Sequence, residues 1–139
     1  MNKKEFAAKV IGLPWVNRAY SYEQVDCHGL IYLFYRDVIG IDIGLPPSYY
    51  DTTKELDVGY LEEINTGNWV EVDRIRDCGM VLTCYKGERP VHVGIALDSV
   101  NILHAWGSPG AGGDVKITPL SVIKRMFGKV TFHVRKEQL

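Results

Sequence analysis

The feature that most restricts the fold is a cysteine, Cys27, placed directly before a long apolar run. The run covers residues 29–35, and the first charged side chain after it is Arg36. Asp26, just ahead of the cysteine, is of the type that caps helix N-termini by accepting backbone N–H groups. The pattern predicts a helix from Cys27 to about residue 38, apolar on all sides and therefore central in the fold.

Two roles are open for Cys27 at this position. The free amides and positive dipole end of a helix N-terminus favour the thiolate, which is the nucleophilic form of cysteine. Gly29, which has no side chain, would then let a substrate backbone approach. The alternative is that Cys27 is a small apolar residue of a core helix. This stretch alone does not decide between them.

Length and composition describe an ordinary globular protein, and we interpret residues 1–139 as one domain. The chain is 46% apolar and 24% charged, with a net charge of −1. Because no basic block is present, nucleic acid and anionic membranes are not the expected partners. The three cysteines do not have the spacing of a disulfide framework or of a zinc knuckle, so we expect reduced thiols.

No apolar stretch approaches the ~20 residues of a membrane span. Residues 1–9 also lack the apolar core of a signal peptide, because charged residues interrupt them. We therefore expect the protein to stay in the cytoplasm or to leave it by a route other than secretion.

Helical patterns precede β-rich segments along the chain. Helices are predicted at residues 2–11, 27–38 and 52–65. Short strands are predicted at 80–85, 91–97, 101–106, 115–118 and 130–135, with a mobile loop at 108–113 and a helical turn at 119–126. This order is typical of an α+β fold, in which the buried cysteine helix lies across one face of an antiparallel sheet.

Four histidines could serve as the base that a cysteine nucleophile requires. His28 follows Cys27 on the helix, so its side chain points about 100° away and is badly placed. His133 lies in the last predicted strand, where a packing or surface role is expected. His92 and His104 remain as candidates.

These two histidines flank a predicted hairpin turn and are separated by an even number of residues. Since strand side chains alternate with period two, a three-residue turn centred on Ser99 puts His92 and His104 on one face as diagonal neighbours. A two-residue turn would put them on opposite faces. Gly94 and Ala96 share the His92 face, and we expect them to leave room for the helix N-terminus.

The hypothesis drawn from the residues is a nucleophile–base–orienting set. Cys27 would attack, His92 would take its proton, and His104 would hold His92 in the correct tautomer. Two other readings stay open: histidines that only satisfy the core, and a zinc site built from the same three side chains.

Several sequence blocks resemble the NlpC-type cysteine peptidases, papain-like enzymes that cut the peptide stems of bacterial cell wall. The main blocks are DCHGL at 26–30, HVGI at 92–95 and ILHA at 102–105, with GLPW at 12–15 and CGMVL at 78–82 also in family order. The resemblance implies a papain-like α+β fold, with N-terminal helices and a buried nucleophile helix packed on a central antiparallel sheet. It also implies that no metal or other cofactor is needed.

Roles for individual residues follow from the same resemblance. Cys27 corresponds to the nucleophile, His92 to the general base and His104 to the orienting residue, with the Cys27 amide as an oxyanion donor. The remaining substrate-binding or oxyanion candidates are Trp15, at the position of the family's tyrosine, and Tyr20, Tyr22 and Asp26. The implied reaction is hydrolysis, through a thioester, of the amide between D-glutamate and the diamino acid of the stem.

Three further details resemble the phage and prophage tail-assembly branch. They are PWVNR at 14–18, His28 where most members have Ser, and WVEV at 69–72 within the long segment 45–75. This branch implies tail-tip proteins as partners, and assembly in the host cytoplasm followed by a place in the virion tail.

Alternatives to this peptidase are an amidase, a transglutaminase-like enzyme or an acyltransferase with the same triad. A further alternative is a structural or binding tail-tip module that keeps the scaffold without turnover.

Overall fold

The structure is a computed structural model that describes residues 1–45, 67–75 and 79–139. Outside the described residues lie the helix predicted at 52–65 and the residues Tyr49, Tyr50 and Cys78. The fold is α+β, with helices packed on an antiparallel sheet.

The first two predicted helices are present. Helix α1 covers Lys3–Val10 and begins where the Asn2 side chain accepts the Glu5 N–H. Helix α2 covers Cys27–Phe34 and continues as one π-helical turn, Tyr35–Ile39. Gly40 ends this turn with a φ of +85°, a conformation that favours glycine. Among the described residues, no helix has the length and apolar content needed to cross a bilayer.

The described residues contain a six-stranded antiparallel sheet with the order β1-β6-β2-β3-β4-β5. Its strands are β1 Trp69–Val72, β2 Met80–Lys86, β3 Arg89–Ala96, β4 Asn101–Ser108, β5 Gly112–Pro119 and β6 Lys129–Arg135, and helix α3, Leu120–Met126, lies between β5 and β6. Strand β1 was not predicted. The predicted loop at 108–113 is shorter than expected, because β4 and β5 pair up to Ser108 and Gly112.

Alternating side chains of the sheet contribute to two apolar clusters. The first cluster joins α1 and α2 to one face, through Val93, Ile95 and Leu103 among others. The second joins α3 to the opposite face, through Ala96 and Ile102. The sheet is thus covered by helices on both sides, and α2 lies across one face of it, as predicted.

Candidate active site

Cys27 is the first residue of α2 and is 5% exposed. Asp26 caps the helix as predicted, since its Oδ1 accepts the Gly29 N–H at 2.8 Å. Its Oδ2 accepts the N–H of Arg18, also at 2.8 Å. The buried carboxylate therefore fixes both the helix start and the preceding loop, which limits the freedom of the Cys27 backbone.

The close approach expected at Gly29 occurs, but the approaching group belongs to this chain. A Cβ built on Gly29 would lie 1.9 Å from the carbonyl oxygen of Ala19. That oxygen accepts the N–H of Asp26 at 3.0 Å. The expectation that Gly29 leaves space for a substrate backbone was wrong, because the loop before the helix fills that space.

The histidine pair has the predicted geometry. Ile95 pairs with Leu103, and the Leu97 N–H donates to the Asn101 carbonyl at 3.0 Å, so the turn has three residues. This register puts both imidazoles on one face, where His92 Nε2 lies 2.9 Å from His104 Nδ1. Prediction from strand parity is confirmed for this pair.

The glycine between the histidines has a different role from the one expected. A Cβ on Gly94 would lie 2.9 Å from Ile102 Cγ2 and 3.3 Å from His104 Cβ. Ala96 packs in the α3 cluster. The expectation that these small residues leave room for the helix N-terminus was therefore wrong: Gly94 makes room for side chains of β4, while the body of α2 packs on the opposite face.

His92 lies in an aromatic and largely dry environment. Its ring stacks on Phe127 with a centroid separation of 5.9 Å and meets the Trp106 ring edge-on at 5.0 Å. Burial lowers the pKa of His92 to about 3, with smaller effects in the same direction from His104 and His28. His92 is therefore in its neutral form near pH 7.

His104 is held on both ring nitrogens. Its Nε2 lies 2.7 Å from Thr118 Oγ1, opposite the nitrogen that faces His92. Burial lowers its pKa to about 4, and Lys116 acts in the same direction while Asp114 opposes it. Thr118 was not among the predicted site residues. A loop was expected at 108–113, so the β4–β5 register that brings Thr118 beside His104 was not predicted.

Residues at the start of α2 contribute to the pKa shifts of one residue on β2 and one on β3. Cys84 is the register partner of His92. Burial raises the pKa of the Cys84 thiol to about 12, with a smaller contribution in the same direction from Cys27. The adjacent His28 contributes to the lowered pKa of His92.

A sequence model of the NlpC/P60 family matches residues 12–136. The chain belongs to the NlpC/P60 family. Members of this family are cysteine peptidases, and the match supports a cell-wall peptidase at family level.

Two solved structures are similar to this NlpC/P60 chain. The NlpC/p60 domain of the peptidoglycan hydrolase SagA is 24% identical with a TM-score of 0.61, over 94% of this chain and 93% of that one. NlpC1 from Trichomonas vaginalis is 14% identical with a TM-score of 0.60, over 94% of this chain and 41% of that one. No curated protein sequence is significantly similar. These likenesses establish the papain-like fold.

The aromatic candidates of the NlpC/P60 chain lie in different surroundings. Trp15 packs on Gly107, where an added Cβ would lie 2.6 Å from Trp15 Cγ. Tyr20 is 44% exposed and meets the Tyr32 ring edge-on. Both remain candidates for substrate binding.

Tyr22 points toward the C-terminal end of the helix that begins at Cys27. Its hydroxyl donates to Asp37, which lies in the π-helical turn. Burial and this hydrogen bond raise the pKa of Tyr22 to about 12. Because this contact directs the Tyr22 hydroxyl toward Asp37, it does not favour the predicted role of Tyr22 in substrate or oxyanion binding.

The zinc alternative has no support from the described parts of the NlpC/P60 chain. Within residues 1–45, 67–75 and 79–139, no three His, Cys, Asp or Glu side chains are grouped as metal ligands. His92 Nε2 and His104 Nδ1 face each other, so these two nitrogens bind one another instead of one metal ion.

The buried histidines predict acid sensitivity. Burial lowers the pKa of His28 and His92 to about 3 and that of His104 to about 4, whereas an unfolded histidine stays near 6.5. The unfolded chain thus binds more protons, so their contribution to stability is complete above pH 6.5 and is lost as the pH falls toward 4 and 3. At pH 5 we expect a loss of about 2 kcal/mol per histidine, measured by urea unfolding between pH 8 and pH 5.

His28→Ser is the comparison variant for this titration. It removes one of the buried histidines with a lowered pKa and should reduce the fall in unfolding free energy between pH 8 and pH 5 by about 2 kcal/mol. An unfolding free energy that is the same at both pH values in the unsubstituted protein would contradict the buried neutral histidines.

Proposed function

We propose that the chain is a cysteine peptidase that hydrolyses an amide bond in the stem peptides of peptidoglycan. In this proposal Cys27 is the nucleophile, His92 the general base and His104 the orienting residue. The observation that carries it is the 2.9 Å hydrogen bond between His92 and His104. It is supported by the position of Cys27 as the first residue of a helix capped by Asp26.

In the proposed hydrolysis one group, His92, carries out every proton transfer. His92 takes the thiol proton of Cys27, and the thiolate adds to the amide carbonyl carbon while the Cys27 N–H stabilises the developing oxyanion. Collapse breaks the C–N bond, and the amine leaves with the proton from His92. His92 then deprotonates a water molecule that attacks the thioester and releases the acid and the Cys27 thiol.

The finer substrate assignment is the bond between D-glutamate and the diamino acid. Its support is the resemblance of the signature blocks, together with the likeness to a domain of a peptidoglycan hydrolase. We also propose that the protein acts in a phage or prophage tail, with tail-tip proteins as partners, after assembly in the host cytoplasm. Support for this setting is the sequence pattern at 14–18 and 69–72 and His28.

Alkylation with iodoacetamide tests the nucleophile. We expect Cys27 to react at least about tenfold faster than Cys84 near neutral pH, because Cys84 is fully buried and its thiol pKa is raised to about 12. Peptide mapping by mass spectrometry measures each site separately, including Cys78.

The same samples test turnover on purified peptidoglycan fragments. The untreated protein should release a new amine on the diamino acid, and release should stop in proportion to Cys27 labelling. Release that continues after complete labelling of Cys27 would refute the proposed nucleophile. The alternative, a catalytically silent tail-tip module, predicts no release from the untreated protein.

A further inference from the structure

The histidine pair is part of a longer hydrogen-bonded chain. His92 Nε2 bonds to His104 Nδ1 at 2.9 Å, and His104 Nε2 bonds to Thr118 Oγ1 at 2.7 Å. In the β4–β5 ladder Lys116 is opposite His104 and Thr118 is opposite Ile102. Thr118 is thus the diagonal neighbour of His104 on the same face, within reach of its ring.

We propose that Thr118 is a positioning residue, whose hydroxyl oxygen accepts the His104 Nε2–H and so stabilises the His104 tautomer that a charged His92 requires. The inference rests on the proposed function, since it requires His92 to accept a proton from Cys27. In this scheme Thr118 contacts neither Cys27 nor His92 and acts only through His104.

The positions of the protons on the two imidazoles decide whether His92 can act as a base. Burial keeps both imidazoles neutral near pH 7, so each ring carries one N–H, and the bond between the rings contains one proton. If that proton is on His92 Nε2, His92 Nδ1 is bare and can take the thiol proton of Cys27. If it is on His104 Nδ1, His92 carries its proton on Nδ1 and cannot act as a base.

The productive arrangement requires an acceptor at Thr118. With His104 Nδ1 bare, His104 carries its proton on Nε2, and that N–H must donate to Thr118 Oγ1. His104 is 1% exposed, so an unpartnered N–H there would be costly. The Thr118 hydroxyl oxygen can accept this N–H. It must do so once His92 is charged, because both His92 ring nitrogens then carry protons and His104 Nδ1 has to accept.

Two substitutions at Thr118 distinguish the effect of its hydroxyl group from the effect of its side-chain shape. Thr118→Val keeps the branched shape and removes the acceptor, whereas Thr118→Ser keeps the acceptor. Thr131→Val is the matched control, because Thr131 Oγ1 bonds to the buried His133 Nε2 at 2.8 Å on a different strand. This control removes the same kind of bond from a histidine outside the proposed site.

Kinetics on stem-peptide fragments give the first readout. We expect Thr118→Val to lower kcat roughly 10–100-fold with little change in KM, as for other groups that orient a catalytic residue indirectly. Thr118→Ser should restore most of the loss, and Thr131→Val should leave kcat unchanged. Equal kcat values for Thr118→Val and the unsubstituted protein would overturn the proposal.

Histidine tautomers in ¹H–¹⁵N spectra give a second readout that does not depend on activity. In the unsubstituted protein we expect the His104 proton on Nε2 and the His92 proton on Nε2, and Thr118→Val should shift His104 away from this form. A His104 proton on Nδ1 in the unsubstituted protein would overturn the inference even if Thr118→Val does not fold. If the unsubstituted protein shows the expected tautomers but does not hydrolyse stem-peptide fragments, the role of Thr118 is supported and the proposed function is refuted.

Discussion

Replacing Cys27 by alanine is expected to lower kcat on peptidoglycan stem fragments by roughly 10⁴-fold or more, because it removes the sulfur that forms the thioester in the proposed reaction. The substitution removes one buried sulfur from the helix start, where the Asp26 cap remains in place. The fold should therefore survive. Release of new amines, measured by chromatography and mass spectrometry, checks the prediction.

Cys84→Ala is the control for loss of a buried thiol. Cys84 is fully buried and its thiol pKa is raised to about 12, so it is an inert thiol at neutral pH. We expect this variant to retain most of its activity. Wild-type rates in Cys27→Ala would mean that another group performs the chemistry, and the assignment as a cysteine peptidase would fail.

The second large effect is expected at Gly29. In an isolated helix, alanine is preferred over glycine by about 1 kcal/mol, so helix propensity alone predicts that Gly29→Ala stabilises the protein. The structure predicts the opposite, because the added Cβ would lie 1.9 Å from the Ala19 oxygen and 2.9 Å from the Ala19 carbonyl carbon. Backbone cannot move aside cheaply, and we expect a destabilisation of about 4 kcal/mol or failure to fold.

Gly128→Ala is the matched control for this substitution. A Cβ at Gly128 would meet no heavy atom within 4 Å, and we expect a change within about 0.5 kcal/mol. Urea unfolding monitored by circular dichroism compares the two variants. A Gly29→Ala variant as stable as the Gly128→Ala variant would contradict the close contact between the Ala19 loop and α2.

Local rules predicted the histidine pair correctly. The even spacing of His92 and His104 and a short turn between them were sufficient, because side-chain alternation and hairpin register act over a few residues. Asp98 reinforces this turn, since its Oδ1 accepts the N–H groups of Val100 and Asn101. The Asp26 cap is predictable for the same reason.

Errors arose where a distant segment fills a space. Gly29 was read as an opening for substrate, but the Ala19 carbonyl occupies it. Gly94 was read as room for the helix, but Ile102 and His104 occupy it. A glycine in a sequence shows that something comes close, and only the folded chain shows which group that is.

The sequence by itself determined the helix that begins at Cys27, the shared face of the two histidines, the α+β class and the resemblance to the family, because capping, periodicity and turn length are local properties. Only the tertiary structure decided the position of β1 beside β6, the packing of α2 opposite the histidine face and the contact of Thr118 with His104. These features depend on pairings between segments far apart in the chain, which no short window of sequence specifies.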